Sequence, residues 1–104
     1  MRDIPRLKAE FFKALGHPMR IRALELLSQD EHSVSALASA MEVEQSALSG
    51  QLAVLRRAGL VEARREGANV VYALADQRIA ELLAVSRQIL LDMVSDAREA
   101  LRAS

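Results

Sequence analysis

The sequence predicts a mainly α-helical domain with one small β-hairpin. Apolar residues make up 51% of the 104 residues and aromatic residues only 3%, so Leu, Ala, Val and Ile must fill an interior suited to helices packing on helices. Apolar residues recur at helical spacing along most of the chain, whereas residues 60–74 hold two short strand-like runs around a glycine. The length suits one domain, residues 1–104, with the expected order α-α-α-α-β-β-α.

The composition excludes several functional classes. There is no cysteine, which removes disulfides, thiolate metal sites and cysteine nucleophiles. No apolar run reaches the roughly 18 residues of a membrane span, and the N-terminus lacks a signal peptide's apolar core, so we expect a cytoplasmic protein without membrane contact. No phosphate-binding glycine loop and no nucleophile with His and acidic partners occurs at motif spacing. We therefore predict neither an enzyme nor catalytic residues.

The first helix is expected at residues 6–15. Leu7, Phe11 and Leu15 follow one another at four-residue spacing and form one apolar stripe, and Gly16 ends the helix. So short a helix with this much apolar surface needs a partner, either the body of the domain or a second subunit.

A helix-turn-helix is expected at residues 33–58, after a second helix from Pro18 to about Leu27. Ser33 or Ser35 can cap its first helix, because a serine oxygen accepts a hydrogen bond from a first-turn amide. Residues 42–44 form the turn, and the next helix runs from about Gln45 to Ala58. His17 is interpreted as a helix-start residue and His32 as a loop residue.

The outer face of the helix at 45–58 is unusual for a solvated surface. Leucines 48, 52 and 55 anchor one side, and the opposite side has serines, small residues and Arg57, with glutamines on the flanks. It has no long acidic side chain. Such a face suits a helix that enters a major groove about 12 Å wide and bonds to base edges. Gly50 fits close approach to DNA, although tight packing against protein would also explain it.

The hairpin at residues 60–74 is expected to be a wing. Gly67 and Asn69 suit its turn, and its tip would project Arg64, Arg65 and Asn69. The chain's net charge is zero, but residues 45–65 hold four arginines against one glutamate, a local excess of +3. An ordinary edge hairpin is the alternative. Its position directly after the helix-turn-helix favours a wing that contacts DNA.

The last helix, expected at residues 76–103 with Asp76 as its cap, has an apolar stripe too broad for so small a domain to cover. Because acids and bases alternate on its polar side, a membrane-surface helix is disfavoured and pairing with a second copy is preferred. The first and last helices are thus predicted to form a dimer interface. Its expected members are Leu7, Phe11, Leu15, Ile79, Leu82, Leu83, Ile89, Leu90, Met93 and Ala97.

Three segments resemble the arsenic-repressor type of winged helix-turn-helix regulators, the ArsR-SmtB family. They are FKALGHPMRIRALELL at 12–27, SALSGQLAVLRRAGLV at 46–61 and RREGANVVYAL at 64–74. With the two terminal helices, the resemblance covers nearly the whole chain in the expected order. It implies a homodimeric transcriptional repressor that binds an imperfectly palindromic operator in double-stranded DNA.

The resemblance also implies site residues. Base contacts fall on Gln45, Ser46, Ser49 and Gln51. At the position of Gln51 the family often has histidine. Wing contacts fall on Arg64, Arg65 and Asn69, and phosphate contacts at the helix end fall on Arg56 and Arg57.

The family's sensory residues are missing. Metal-sensing members place cysteines where this chain has Ser33 and Ser35, and a hydroxyl does not replace a thiolate as a soft-metal ligand. Other members use Asp and His pairs on the last helix, which has no histidine here, although Asp92, Asp96 and Glu99 lie one turn apart. We predict no metal site and no cofactor.

Two questions stay open in the sequence. A winged-helix module that binds protein instead of DNA is the alternative function, favoured by zero net charge and by the lack of arginine on the recognition face before Arg57. The releasing signal is open between a small organic molecule bound between the last helices, a partner protein and concentration alone.

Overall fold

The computed structural model describes residues 3–103, which form five helices and three strands. The helices are α1 (Ile4–Leu15), α2 (Pro18–Leu27), α3 (Val34–Met41), α4 (Gln45–Arg57) and α5 (Arg78–Ala103). The strands are β1 (His32–Ser33), β2 (Val61–Glu66) and β3 (Asn69–Leu74). The chain order is α1-α2-β1-α3-α4-β2-β3-α5, which confirms a mainly helical winged helix-turn-helix and adds one strand to it.

Side-chain caps fix where the helices begin. Asp3 Oδ1 accepts a hydrogen bond from the Arg6 amide at 3.1 Å, so α1 starts at Ile4, two residues before the predicted start. His17 Nδ1 accepts from the Met19 amide at 3.1 Å at the start of α2, as its predicted role requires. Ser33 Oγ accepts from the Ala36 amide at 3.2 Å, so Ser33 is the cap of α3.

The wing belongs to a three-stranded antiparallel sheet of order β1-β3-β2, rather than to the two-stranded hairpin that was predicted. His32 lies opposite Tyr72 and Ser33 opposite Val71, so the segment before α3 adds a strand to the hairpin's second strand. The prediction that His32 is a loop residue is therefore wrong. A two-strand ribbon is barely stable alone, and this third strand attaches it to the body of the domain.

Leucine side chains from α2, α3 and α4 form the core. The largest fully buried side chains include Leu24, Leu37, Leu48, Leu52 and Leu55. The predicted anchoring side of α4 is confirmed, because its three leucines have no solvent exposure. This packing fixes which side of α4 faces outward.

Helix α5 packs on the domain only through its first turns. Ile79 is 6% exposed, and Leu82 and Leu83 are half-buried against the core. From Val85 onward its large apolar side chains are exposed. In the part of the chain that the structure describes, no helix is both long enough and apolar enough to cross a membrane.

Two residues expected in the dimer interface lie elsewhere. Leu15 is 8% exposed and Ile79 is 6% exposed, and both belong to the buried cluster of the single chain. The helical period correctly placed both residues on apolar stripes. At the end of α1 and the start of α5, however, these stripes face the body of the domain. Both are therefore core residues of the single chain.

Candidate nucleic-acid interface

The outer face of α4 presents polar side chains with no partner in the described chain. Gln45, Ser46 and Ser49 are exposed, and their side chains make no hydrogen bond to another residue within 3–103. The helix lies with its leucine side on the core, so this polar face points away from the domain. Hydroxyl and amide groups can both donate and accept hydrogen bonds, which suits contact with base edges.

Gln51 does not share this environment. Its side-chain oxygen accepts a hydrogen bond from Arg20 Nη1 at 2.8 Å, and the residue is half-buried on the side of α4 that faces α2. The Arg20 guanidinium thus occupies one acceptor position of the Gln51 side chain, which sets Gln51 apart from the three exposed residues. Sequence reasoning missed Arg20 as a site residue, although it comes just after the helix break at Gly16-His17-Pro18 and so lies near the end of α1.

Exposed arginines lie at the end of α4 and on the wing. Arg56 and Arg57 are in the last turn of α4, and Arg65 is on β2, which packs against α4. Asn69 begins β3, opposite Glu66, and is also exposed. The tight connection between the strands uses Gly67 at a φ of 62°, a left-handed conformation that glycine adopts without steric cost. These cations thus lie at the end of α4 and on the strand that follows it.

Arg64, by contrast, is held by two carboxylates. Its Nη1 and Nη2 atoms donate to the two Glu31 oxygens at 2.7 and 2.5 Å, and Nη2 also pairs with Glu66. These hydrogen bonds raise the pKa of Arg64 further above its usual range, and the Arg64 guanidinium lowers the pKa of Glu31. The structure thus places Arg64 in an ion-pair network that links the wing to the loop before β1.

Comparisons with known proteins identify the family. A family model described as "Bacterial regulatory protein, arsR family" matches residues 17–63. The chain is 55% identical over 92 residues to Rv0081 of Mycobacterium tuberculosis, an uncharacterized HTH-type transcriptional regulator, and the match covers 88% of this chain and 81% of that one. The chain belongs to the arsR family. It is also 41% identical over 75 residues to the biofilm growth-associated repressor of Agrobacterium fabrum, covering 72% of this chain and 64% of that one.

Solved structures of arsR-type regulators have the same fold. The crystal structure of Rv0081 matches with a TM-score of 0.84 and 52% identity, over 93% of this chain and 98% of that one. The solution structure of a homodimeric winged helix-turn-helix DNA-binding domain, Mb0332 from Mycobacterium bovis, matches with a TM-score of 0.81 and 33% identity, over 89% and 86% of the two chains. The chain is therefore a winged helix-turn-helix transcriptional regulator. The alternative of a protein-only module is not favoured.

This arsR-family chain has a second exposed surface, formed by α1 and α5 and apolar in character. Phe12 is 56% exposed and packs edge-on against Phe11, with 5.5 Å between the ring centres. Sequence analysis named Phe11 and missed Phe12, which lies one residue further around α1. The other large exposed apolar side chains are Ile4, Leu7, Val85, Ile89, Leu90, Leu91, Met93, Val94 and Leu101.

At the positions where metal-sensing members of the arsR family have their ligands, this chain has side chains that make other hydrogen bonds. Ser33 Oγ lies 3.3 Å from Ser35 Oγ and also caps α3. On α5, Asp92 Oδ1 accepts from Gln88 Nε2 at 2.9 Å. Between residues 3 and 103, no three His, Cys, Asp or Glu side chains are grouped so that they could hold a metal ion.

Proposed function

We propose that this arsR-family regulator is a homodimeric repressor that binds a palindromic operator without a metal cofactor. One α4 helix from each subunit would enter each of two successive major grooves, with half-sites about one helical turn, 10–10.5 base pairs, apart. The observation that carries the proposal is the outer face of α4, where Gln45, Ser46 and Ser49 have no partner within residues 3–103. Its place of action would be the cytoplasm.

The chemistry of the exposed groups indicates which of them contact phosphates and which contact bases. Arg56, Arg57 and Arg65 contact phosphates, which supplies affinity for any sequence. Gln45, Ser46 and Ser49 contact base edges, which supplies selection. Asn69 at the wing tip adds a polar contact to the backbone.

The apolar surface of α1 and α5 supports the homodimer. Small domains rarely leave a large contiguous apolar surface in water, and an isologous interface covers the same surface on both copies at once. The homodimeric relative Mb0332 shares the fold at 33% identity, which adds support from a similar chain. A dimer would also double the cationic surface, which matters for a chain with a net charge of zero.

The experiment is fluorescence anisotropy with DNA from directly upstream of the protein's own gene, compared with scrambled DNA, over a salt series. Three exposed arginines per subunit give six phosphate contacts per dimer, so log K against log salt should have a slope of about −5. We expect a strong preference for the native fragment. Weak binding to both fragments alike would contradict operator recognition, and no binding at low salt would contradict DNA binding altogether.

Two variants separate affinity from selection. Arg65→Ala should weaken binding to all DNA similarly and reduce the salt slope by about 2 in the dimer, because one phosphate contact is lost from each subunit. Gln45→Ala should instead relax the choice at one base position in each half-site, measured with single-base operator variants. If Arg65→Ala left both affinity and slope unchanged, the assignment of the wing would be wrong.

A further inference from the structure

One side chain joins the end of α1 to the middle of α4. Arg20 Nε donates to the Ala14 carbonyl at 2.6 Å, and Nη2 donates to the Lys13 carbonyl at 3.2 Å. Its third donor, Nη1, bonds to the Gln51 side-chain oxygen at 2.8 Å. Arg20 itself lies in α2, so these hydrogen bonds connect three helices through one guanidinium group.

The Arg20 guanidinium matches the carbonyl groups at the end of α1 in number and direction of hydrogen bonds. The last carbonyls of a helix have no partner inside it, and Lys13 and Ala14 are in the last turn of α1. A guanidinium is planar, always charged and offers five donors in a fixed arrangement, so it can fix the direction of each helix that it binds. A lysine would place a single rotatable point charge there.

Apolar packing joins the end of α1 to α4, since Ala14 and Leu15 are buried in the same cluster as the leucines of α4. A cavity of about 530 Å³ lies between the two helices, with Arg20 in its wall together with Leu7, Phe11, Val54 and Arg57. Arg20 adds directed hydrogen bonds between the two helices to this apolar contact.

We propose that Arg20 is a positioning residue that sets the orientation of the recognition helix α4 relative to the dimerisation helix α1, with Gln51 as its acceptor on α4. This rests on the proposed function of α1 and α4. The angle at which each α4 meets the operator then follows the position of α1 in the dimer. Gln51 contributes to DNA recognition through Arg20 and not through a base.

The test replaces Gln51, because replacing Arg20 would also leave two carbonyls of α1 without their donor. Gln51→Ala removes the acceptor, whereas Gln51→Glu keeps an acceptor and makes the bond to Arg20 charge-assisted. We expect Gln51→Ala to reduce the preference for operator over scrambled DNA about tenfold. Gln51→Glu should keep that preference within about twofold.

Gln45→Glu is the matched control. It makes the same chemical change on α4, but at an exposed position without an arginine partner among residues 3–103. Its carboxylate should repel phosphates and lower affinity for all DNA, which shows that the assay detects a new charge near DNA. If Gln51→Glu lost as much preference as Gln51→Ala, with base choice changed at a single position, Gln51 would contact a base and the proposal would be overturned.

A readout without DNA separates this proposal from the proposed function. Hydrogen exchange of the backbone amides of α1 and α4 should be faster in Gln51→Ala and unchanged in Gln51→Glu. If the wild-type protein bound no DNA while the two variants showed this pattern of exchange, operator binding would be contradicted and the link through Arg20 would stand. Unchanged exchange in Gln51→Ala would overturn the link, whatever the DNA result.

Discussion

Arg64 is held between Glu31, from the loop before β1, and Glu66, from the wing. In the proposed complex, both carboxylates would compete with DNA phosphates for the same guanidinium. Exposed ion pairs of this kind stabilise a fold by little, because water screens both charges. The pairing therefore costs little to break and affects the charge that the wing offers to DNA.

Glu31→Gln should strengthen DNA binding several-fold at low salt, because it removes one negative charge and one of the two carboxylates that hold Arg64, which leaves the guanidinium more available to a phosphate. The salt slope should become steeper, by about 2 in a dimer with one new phosphate contact per subunit. Both quantities come from anisotropy titrations between 50 and 200 mM salt.

Glu62→Gln is the control for Glu31→Gln. Glu62 is exposed on β2 and makes no ion pair with any residue from 3 to 103, so its change removes the same charge and frees no arginine. It should raise affinity through net charge with a smaller change in slope. Equal slopes for the two variants would show that Arg64 does not reach a phosphate even when freed.

Helical periodicity predicted the exposure of single residues but not their partners. It placed Ser46 and Ser49 outward and Leu48 inward, because each direction follows from position along one helix. The bond of Arg20 to Gln51 joins residues 31 apart, and that of Arg64 to Glu31 joins residues 33 apart. Such pairs depend on how helices and loops come together, which no local pattern in the sequence specifies.

Helix α4 contains a glycine, Gly50, that no contact within residues 3–103 requires. A Cβ built on Gly50 would meet no atom within 4 Å, so packing inside the described chain does not explain it. Gly50 also follows Ser49 on the face turned away from the core. If α4 enters a major groove as proposed, close approach of its backbone to DNA would account for a residue that weakens the helix.

Gly50→Ala should therefore change stability and DNA binding in opposite directions. The free energy of unfolding should rise by about 1 kcal/mol, because alanine is the better helix former. Operator affinity should fall about tenfold as the new methyl group holds α4 away from the groove.

Urea unfolding and anisotropy give the two values for Gly50→Ala. Gly59→Ala serves as a reference, because Gly59 has a φ of 79° and alanine there should cost about 1–2 kcal/mol of stability. Unchanged operator affinity in Gly50→Ala would falsify the close approach.

The start of α5 is sensitive to acid. Asp76 accepts hydrogen bonds from the Arg78 side chain, and its Oδ1 also accepts from the Arg78 amide at 2.9 Å. These bonds, chiefly those from the side chain, lower the pKa of Asp76 from 3.8 to about 2. A carboxyl with a lowered pKa stabilises the fold fully above its unfolded value, and this contribution disappears as the pH falls through the folded value.

Wild-type protein should thus lose more stability than Asp76→Asn between pH 4 and pH 2. Urea unfolding followed by circular dichroism at several pH values measures the difference, and the variant corrects for all other carboxylates. Parallel curves for the two proteins would show that the Asp76–Arg78 contact does not persist in solution.

Among the helices and strands, the long periodic segments could be predicted from the sequence, whereas the shortest strand, β1, could not. Each of the five helices has an apolar stripe or a capping residue that marks it in the sequence. Strand β1 is two residues long, too short to show an alternation of apolar and polar residues, and it exists because β3 lies beside it. Because β1 has no pattern of its own in the sequence, the wing was expected to have only two strands.

Across the whole molecule, the large exposed apolar side chains of residues 3–103 lie on α1 and α5, whereas the outer face of α4 is polar. Met93, 60% exposed on α5, lies within the apolar part. Met93→Lys should convert the dimer to a monomer and leave the fold of the single chain unchanged, because the side chain contributes nothing to the core. Operator affinity should fall by more than tenfold, since each half-site is then bound independently. Sedimentation and circular dichroism measure the two properties.

Ser95→Lys adds the same charge two residues further along α5, on the opposite side of the helix. It should leave the dimer intact. A dimeric Met93→Lys protein, or a monomeric wild type, would show that the apolar surface of α5 does not pair two copies.

The attachment of β1 has a consequence for how the molecule adapts to different operators. Ser33 ends β1 and caps α3, so no flexible residue separates the sheet from the helix-turn-helix. Within one subunit, the wing and α4 therefore have almost no freedom to shift relative to each other. In the proposed dimer, differences in spacing between two half-sites would then be absorbed by bending of the DNA or by rotation of one subunit against the other, and not by movement within a subunit.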